Sequence, residues 1–451
     1  MSKDEDQLEG YTGKTRSILE KQEITTWDKL KIFTNDKTFE GILLPRNKFD
    51  ATGLVDLKLK NGYNIGVRVD DSTKFEVIGH EKGEYKLPER KVKQDSKKPN
   101  VMLVGTGGTV ASRLDYVTGG VLPAFTPAEL FSAVPELEDI ANLETIVKYE
   151  IFSEDVAPQQ WQELAEAVEI AYNKKKDGVV IAHGTDTMSY SAAMLSFMLP
   201  KLSIPVVFVG SQRSSDRPSS DAALNLIHAT TAAAKGDFAE VVICMMGSIN
   251  HTHAYLHRGP IVRKMHSSVR HTFRTIGDTP FARVENGKIQ ILKQEYKHRN
   301  QDKKTEANTN IEEKVALLYT YPGINPKIID NLVKDGYKGI VLAGTGLGHA
   351  PHTTFPALKN AIDSNVSVVM TVQTLWGYTG MNVYETGREQ LALGIIDGKN
   401  MLPEVAFCKL MWVLGQETDQ VKIKKMMETN LRGEILPGEP PNGFQIFQGE
   451  R

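Results

Sequence analysis

The chain has 451 residues, of which 40% are hydrophobic and 24% are charged, and its formal net charge at pH 7 is −2. This length allows two or three domains, and the near-neutral charge gives no chain-wide basic surface for nucleic acid. No apolar stretch approaches the roughly 20 residues that cross a bilayer, and the polar N-terminus MSKDEDQLEGYTGK does not resemble a secretory signal. Both cysteines lie in apolar runs, so we expect buried free thiols and a cytoplasmic location.

The first part of the chain, residues 1–80, is predicted to form a small β-barrel domain. Short alternating runs such as KTFEGILLP and NIGVRV lie between turn residues, and Asn61-Gly62 is typical of a hairpin turn. Residues 81–99 are dominated by Lys, Glu and Pro without hydrophobic periodicity. This composition predicts a solvated linker.

Two α/β domains are predicted beyond the linker, at residues 100–296 and 314–451. In the first, the apolar runs VMLVG, GVVIA, PVVFVGS and VVICMM alternate with helical patterns, and the second repeats the theme with KVALLYTY, GIVLAGTG and VSVVMTV. That alternation predicts parallel sheets with helices between the strands. A polar stretch at 297–313 predicts a second linker. The fold class is therefore α/β, with two parallel-sheet domains after the barrel.

Two glycine-threonine turns, VMLVGTGGTVAS at 101–112 and GVVIAHGTDTMSY at 178–190, each follow a predicted buried strand. Ligands collect at the carboxyl edge of such sheets because the loops converge there. Thr109 from the first turn, with Thr185 and Asp186 from the second, is therefore expected to surround one small molecule. Two hydroxyls and a carboxylate in this arrangement suggest nucleophilic attack by threonine on a carbonyl.

A threonine hydroxyl attacks only if a base takes its proton, and Asp186 and Lys264 are the nearest candidates by residue type. Backbone N–H groups at the glycine turns could stabilise the resulting oxyanion. The alternative interpretation is that these are tight turns whose hydroxyls cap the following helices.

Two further patterns bear on other kinds of chemistry. GTGGT lacks the GK[ST] ending of a Walker A loop, and Val110 stands where a dinucleotide-binding loop has its third glycine, so nucleotide binding is disfavoured. Five histidines lie within residues 251–271, but their spacing is not that of a zinc site. We expect no metal site, and favour polar packing or substrate and partner contacts for these histidines.

The segments TGGTVAS at 106–112, HGTDTMSYSAAML at 183–195 and NLRGEI at 430–435 resemble signatures of the bacterial-type L-asparaginase family. The resemblance covers roughly residues 100–440 and implies hydrolysis of a side-chain amide through a covalent acyl-enzyme. It implies the following catalytic residues: Thr109 as primary nucleophile, Tyr116 as its activator, and Thr185, Asp186 and Lys264 as the second arm. Ser153 and Glu154 resemble the family's substrate-holding Ser-Gln pair, with Glu154 in place of glutamine, and Gly108 is expected beside the substrate.

The first hundred residues have no counterpart in ordinary asparaginases. FEGILLPRN at 39–47 and LKNGYNIGVRVDD at 59–71 resemble the N-terminal domain of the D-type subunits of archaeal glutamyl-tRNA(Gln) amidotransferase. That resemblance implies a glutaminase without a cofactor of its own, in a homodimer core within a heterotetramer. The partner, the E-type subunit of the amidotransferase, would bind Glu-tRNA(Gln), activate it with ATP and Mg²⁺, and receive the ammonia. The alternatives are a stand-alone L-asparaginase and a non-catalytic tRNA-binding or assembly protein.

Overall fold

The structure is a computed structural model that describes residues 8, 10–34, 37–46, 53–60, 64–80, 95–107, 112–114, 121–123, 134–213 and 220–441. The helices are α1 (Gly13–Lys21), α2 (Leu137–Ile140), α3 (Pro158–Asn173), α4 (Met188–Met198), α5 (Ala222–Lys235), α6 (Lys327–Lys334), α7 (Phe355–Asp363), α8 (Glu385–Leu393), α9 (Pro403–Gln416) and α10 (Gln420–Glu428). The strands of the N-terminal region are β1 (Asp28–Phe33), β2 (Thr38–Leu43), β3 (Leu54–Lys58), β4 (Asn64–Arg68) and β5 (Lys74–His80).

The next strands are β6 (Asn100–Gly105), β7 (Ser112–Leu114), β8 (Val121–Pro123), β9 (Asn142–Val147), β10 (Gly178–Ala182), β11 (Val206–Val209), β12 (Val241–Met246), β13 (Ala254–Arg258), β14 (Val262–Lys264), β15 (Phe273–Thr275), β16 (Ala282–Glu285) and β17 (Lys288–Ile291). The last four are β18 (Val315–Tyr319), β19 (Gly339–Gly344), β20 (Ser367–Val372) and β21 (Ile396–Asp397). Short 3₁₀ turns lie at Ser153–Asp155, Gly259–Ile261 and His352–Thr354.

The N-terminal region forms a five-stranded antiparallel sheet in the order β4-β3-β2-β1-β5. Buried and half-buried positions alternate along β1, which places Leu30 and Ile32 in the core of this region. The antiparallel strands agree with the predicted β-rich domain, and closure of the sheet into a barrel stays a prediction. Helix α1 precedes the sheet and was not predicted, and it packs Leu19 into the same core.

The large central sheet has the order β17-β16-β13-β12-β11-β10-β6-β9. Its half from β9 to β12 is parallel and confirms the predicted α/β pattern. The other half is antiparallel, because β13, β16 and β17 are joined by turns and by the β14–β15 pair rather than by crossover α-helices. Helix α3 buries an apolar stripe that consists of Trp161, Leu164, Ala165, Val168 and Ala171.

The C-terminal sheet, β18-β19-β20-β21, is entirely parallel, as predicted. Helix α9 packs between the two sheets and joins them in one core, in which Trp412 stacks on Phe197 of α4 with ring centroids 6.4 Å apart. The segment predicted as a linker, 297–313, makes hydrogen bonds to both sides of this junction. Asn308, for example, donates its backbone N–H to Met198 O and accepts from the Trp412 indole.

The described residues contain neither a membrane-spanning helix nor a metal-binding cluster. None of their helices is long and apolar enough to cross a membrane. They also hold no group of three or more His, Cys, Asp or Glu residues placed to bind a metal ion. Within the 251–271 segment, His257 bonds to Thr275 Oγ1 at 2.9 Å and His253 packs edge-on against Tyr255.

A fully buried ion pair holds the end of the described chain against α9. Lys409 Nζ lies 2.6 Å from Glu434 Oε1 and also donates to the carbonyls of Met427 and Thr429. Glu434 in turn accepts the backbone N–H groups of Leu431 and Arg432. Burial lowers the pKa of Lys409, and the charge of Glu434 opposes that shift. The buried ion pair therefore fixes the NLRGEI motif, which contains Glu434, against α9.

Removing one member of this pair should be strongly destabilising, because the other charge stays buried without compensation. We expect Lys409→Met to lower the free energy of unfolding by about 3–5 kcal/mol, measured by urea denaturation. The exposed pair Lys359–Asp363 on α7 is the control, and Lys359→Met should change it by about 0.5 kcal/mol or less. If the two substitutions changed the free energy of unfolding equally, the stabilising role of the buried Lys409–Glu434 pair would be contradicted.

Two buried histidines should make the fold sensitive to acid. Burial lowers the pKa of His228 to about 4 and that of His257 to about 3, with further lowering from His253 and Arg274 respectively. Between these values and 6.5 the unfolded chain binds more protons than the native chain, so stability falls as the pH falls.

We expect His228→Leu to reduce the loss of stability between pH 7 and pH 5 by about 1–2 kcal/mol. Urea denaturation of both proteins at the two pH values measures this difference. An unchanged pH dependence in the variant would show that His228 is not held neutral by the fold.

Candidate active site

Two neighbouring strands of the central sheet end side by side and define one edge of the site. Strands β6 and β10 run parallel, with Gly105 opposite Ala182. Thr106 ties the two ends together, since its N–H and its hydroxyl both donate to Ala182 O, at 3.2 and 2.8 Å. The two predicted glycine-threonine turns therefore leave the sheet at the same carboxyl edge.

Part of the first turn lies outside the described residues. Gly108 and Thr109 of this turn, and Tyr116 beyond it, are outside the described residues, so their predicted roles stay predictions. The second turn, residues 183–187, is described in full.

The second turn forms a tight polar group with a lysine from 78 residues further along the chain. Lys264 Nζ donates to Thr185 Oγ1 at 2.9 Å and to Asp186 Oδ1 at 2.6 Å. The Lys264 side chain is only 12% exposed, whereas that of Asp186 is 67% exposed. Thr185 is buried. The structure thus brings together three of the predicted site residues around one sheltered ammonium group.

Lys264 reaches this turn because the chain crosses α4 at very close range. A Cβ at Gly259 would lie 2.7 Å from Ala192 O, so only glycine allows the 3₁₀ turn Gly259–Ile261 to lie against the helix. Strand β14 follows directly, and its pairing with β15 places Lys264 opposite Phe273. Lys264 therefore stands at the start of α4, beside Asp186.

The hydroxyls of the second turn do not cap α4, contrary to the alternative interpretation of this motif. Thr187 occupies the N-cap position without a capping hydrogen bond, and its hydroxyl donates to Ser153 O at 2.6 Å. Thr185 is engaged by Lys264 instead. Asp186 precedes the helix, where the positive end of the helix dipole favours a carboxylate.

Ser153 packs directly against the turn, as expected for a residue beside the site. A Cβ at Gly184 would lie 2.7 Å from Ser153 Cβ, so Gly184 allows the two segments to touch. Glu154 follows in the same 3₁₀ turn with its side chain exposed. Within the described part of the chain, Glu154 makes no hydrogen bond, and its predicted contact with substrate stays a prediction.

A polar cavity of about 280 Å³ opens beside Lys264 and Asp186, large enough for a free amino acid. It lies where β14 and α4 meet the start of α9. Its polar lining includes Asp186, Ser189, Tyr190, Arg263, Lys264, His266 and Glu404.

Sequence reasoning missed two groups of this site. Arg263 Nη1 lies 3.4 Å from Glu404 Oε2, so an ion pair between the two α/β domains stands next to Lys264. Burial raises the pKa of Glu404, and Arg263 opposes that shift. The second group is His183, fully buried directly before Gly184. The ion pair joins residues 141 positions apart and has no local signal, whereas His183 stands inside the HGTDT motif and could have been singled out.

Known protein families match three parts of the chain. Residues 100–297 match the asparaginase N-terminal family, residues 314–427 the glutaminase/asparaginase C-terminal domain, and residues 24–78 the GatD N-terminal domain. Among solved structures, the thermostable L-asparaginase from Thermococcus kodakarensis superposes with a TM-score of 0.67 at 30% identity. It covers 75% of this chain and 100% of its own. The asparaginase-like fold class is thereby confirmed.

Relatives that extend over nearly the whole chain share one name, that of the D-type subunit of glutamyl-tRNA(Gln) amidotransferase. The protein of that name from Pyrococcus furiosus is 48% identical over 92% of this chain and 95% of its own length. Its counterpart from Methanopyrus kandleri is 44% identical over 98% of both. The match includes the N-terminal region that the asparaginase families do not cover. The chain therefore belongs to the family of D-type glutamyl-tRNA(Gln) amidotransferase subunits.

Proposed function

We propose that this chain is a glutaminase that releases ammonia from glutamine for a partner protein acting on Glu-tRNA(Gln). The observation that carries the proposal is the contact of Lys264 with both Thr185 and Asp186, in a chain whose relatives are named as amidotransferase subunits. The partner is the E-type subunit of the amidotransferase, with ATP and Mg²⁺ at its site. The complex is a cytoplasmic heterotetramer built on a homodimer of this chain.

The chemistry is an acyl transfer in two steps. The Thr109 hydroxyl attacks the side-chain amide carbon of glutamine, a C–O bond forms, and the C–N bond breaks as ammonia leaves. Lys264 Nζ, held by Thr185 and Asp186, donates a proton to the leaving nitrogen as the C–N bond breaks, and the neutral amine that results takes up the proton lost by the Thr109 hydroxyl. Water then attacks the threonyl ester, which releases glutamate and restores the hydroxyl.

The remaining groups have supporting roles in this proposal. The two turns leave the sheet at one edge, where backbone N–H groups of the glycine-rich first turn would stabilise the oxyanion. Ser153 and Glu154, with Gly108, would hold the α-amino and α-carboxylate groups of glutamine, and Tyr116 would assist Thr109. A free amino acid is a small substrate, in keeping with the size of the cavity beside Lys264.

Coupling to a partner follows from the chemistry of ammonia. The pKa of ammonium lies well above 7, so ammonia released into water is mostly protonated and no longer nucleophilic. A sheltered transfer to the partner avoids that loss, and wasteful hydrolysis is avoided if turnover waits for the partner. The rival function, a stand-alone L-asparaginase, gives no role to the N-terminal domain.

Alanine substitutions at the site test the catalytic assignment. We expect Thr109→Ala, Thr185→Ala, Asp186→Ala and Lys264→Ala each to lower ammonia release from glutamine by about 10²-fold or more, because each removes a group that acts in the transition state. The assay is ammonia production with unfolding midpoints measured in parallel. Lys293→Ala is the matched control, since Lys293 is a similarly buried lysine paired with Asp278. Full activity in all four variants would end the proposal.

Ammonia release should also depend on the assembled complex. We expect turnover of glutamine to rise when the E-type partner and Glu-tRNA(Gln) are present, and glutamine to be preferred over asparagine in that complex. Steady-state rates with each substrate, with and without the partner and the charged tRNA, measure both effects. Equal turnover in all conditions would favour the stand-alone amidohydrolase, and no turnover in any would favour the non-catalytic role.

A further inference from the structure

A directional hydrogen-bond chain runs through the core to the turn that carries Thr185. The Trp161 indole N–H donates to Ser191 Oγ at 2.9 Å, Ser191 Oγ lies 2.9 Å from His183 Nε2, and His183 Nδ1 lies 2.7 Å from Gly184 O. Its side chains come from α3, from α4 and from the residue that directly follows β10. His183 and Ser191 are wholly buried and Trp161 nearly so.

The chemistry of the partners fixes the tautomer of His183. A carbonyl oxygen only accepts, so Nδ1 carries the proton that faces Gly184 O. Burial lowers the pKa of His183 to about 4, so the ring is neutral and Nε2 has no proton. Nε2 must then accept from the Ser191 hydroxyl, whose oxygen accepts from the indole of Trp161, a group that can only donate. Each polar atom of this hydrogen-bond chain is therefore either a donor or an acceptor at each of its contacts.

The hydrogen-bond chain from Trp161 to Gly184 O determines how the peptide group between Gly184 and Thr185 is oriented. The C=O and N–H of a trans peptide point in opposite directions, so a carbonyl held toward the His183 ring directs the Thr185 N–H away from it. In the described part of the chain, no group accepts a hydrogen bond from that N–H. The next atoms along the chain are those of Thr185, whose hydroxyl contacts Lys264.

The same hydrogen-bond chain connects the second turn to the predicted substrate-holding segment around Ser153 and Glu154. Trp161 lies on α3, which begins three residues after the 3₁₀ turn Ser153–Asp155. The Thr187 hydroxyl adds a second connection through its bond to Ser153 O. His183 also packs against Phe208 in an edge-to-face arrangement, with ring centroids 5.7 Å apart, which restricts rotation of the imidazole.

We propose that His183 is a positioning residue for the reaction: its Nδ1–H holds the Gly184 carbonyl and so orients the Thr185 backbone and hydroxyl for attack on the substrate amide. This inference rests on the proposed function. His183 contacts no substrate atom and exchanges no proton with one, and its contribution is to the orientation of the residues that do.

Two polar substitutions separate the two nitrogens of the ring. The amide nitrogen of His183→Asn takes the place of Nδ1 and can still donate to Gly184 O, whereas His183→Gln places its amide near Nε2, toward Ser191. We expect His183→Gln to lower kcat for ammonia release by about 10- to 100-fold with KM within about threefold, because the turn is misplaced. We expect His183→Asn to stay within about tenfold of the wild type. His228→Leu, a buried histidine on α5, is the control and should keep wild-type kcat.

The measurements use the full chain assembled with its E-type partner and Glu-tRNA(Gln), and kcat and KM are recorded from pH 5 to pH 8. A positioning role predicts that kcat of His183→Asn depends on pH in the same way as kcat of the wild type. If His183 were a general base, its substitution would remove one limb of the pH profile of kcat. The inference is overturned if His183→Asn is no more active than His183→Gln, if the loss appears in KM alone, or if the profile changes. An inactive wild type would refute the proposed function itself, and an active wild type with equally active variants would refute only the role of His183.

Discussion

The ammonium of Lys264 is held almost out of solvent by a carboxylate and a hydroxyl, and the rest of the site is arranged around that contact. A buried ammonium is costly unless it is paired and hydrogen-bonded, and here Asp186 and Thr185 supply both forms of compensation. The carboxylate itself remains open to solvent. One ammonium group therefore bridges a solvent-exposed carboxylate and a buried threonine hydroxyl.

Features of the surrounding fold bring Lys264 into contact with Thr185 and Asp186. Parallel strands β6 and β10 end together, the glycine at 259 lets the chain cross α4, and the glycine at 184 lets the Ser153 segment touch the turn. Neutral side chains fix the turn from inside the core, and the charged Arg263–Glu404 pair joins the C-terminal domain to β14 next to Lys264. The positions of the site residues therefore depend on both α/β domains, in accord with the shared core around α9.

Much of this arrangement could be predicted from the sequence. Uninterrupted apolar runs identified β6 and β10, and the principle that parallel strands end at one edge brought Thr185 and Asp186 to the site. What could not be predicted depends on pairings between distant elements. The antiparallel half of the central sheet, the buried Lys409–Glu434 pair and the Trp161–Ser191–His183 chain each join segments whose local patterns look like ordinary core. Lys264 lies between these cases, because the family resemblance implied its catalytic role and the crossing at Gly259 explains how it reaches the turn.

The central claim is that glutamine passes through a threonyl ester at the site where Lys264 meets Thr185 and Asp186. Mass spectrometry of the complex, quenched with acid during turnover of glutamine, tests it most directly. The account predicts a glutamyl adduct on the peptide that contains Thr109, and its loss in Lys264→Ala. Turnover at an undiminished rate with no adduct on any threonine peptide would contradict it, because water would then attack the amide without an acyl-enzyme.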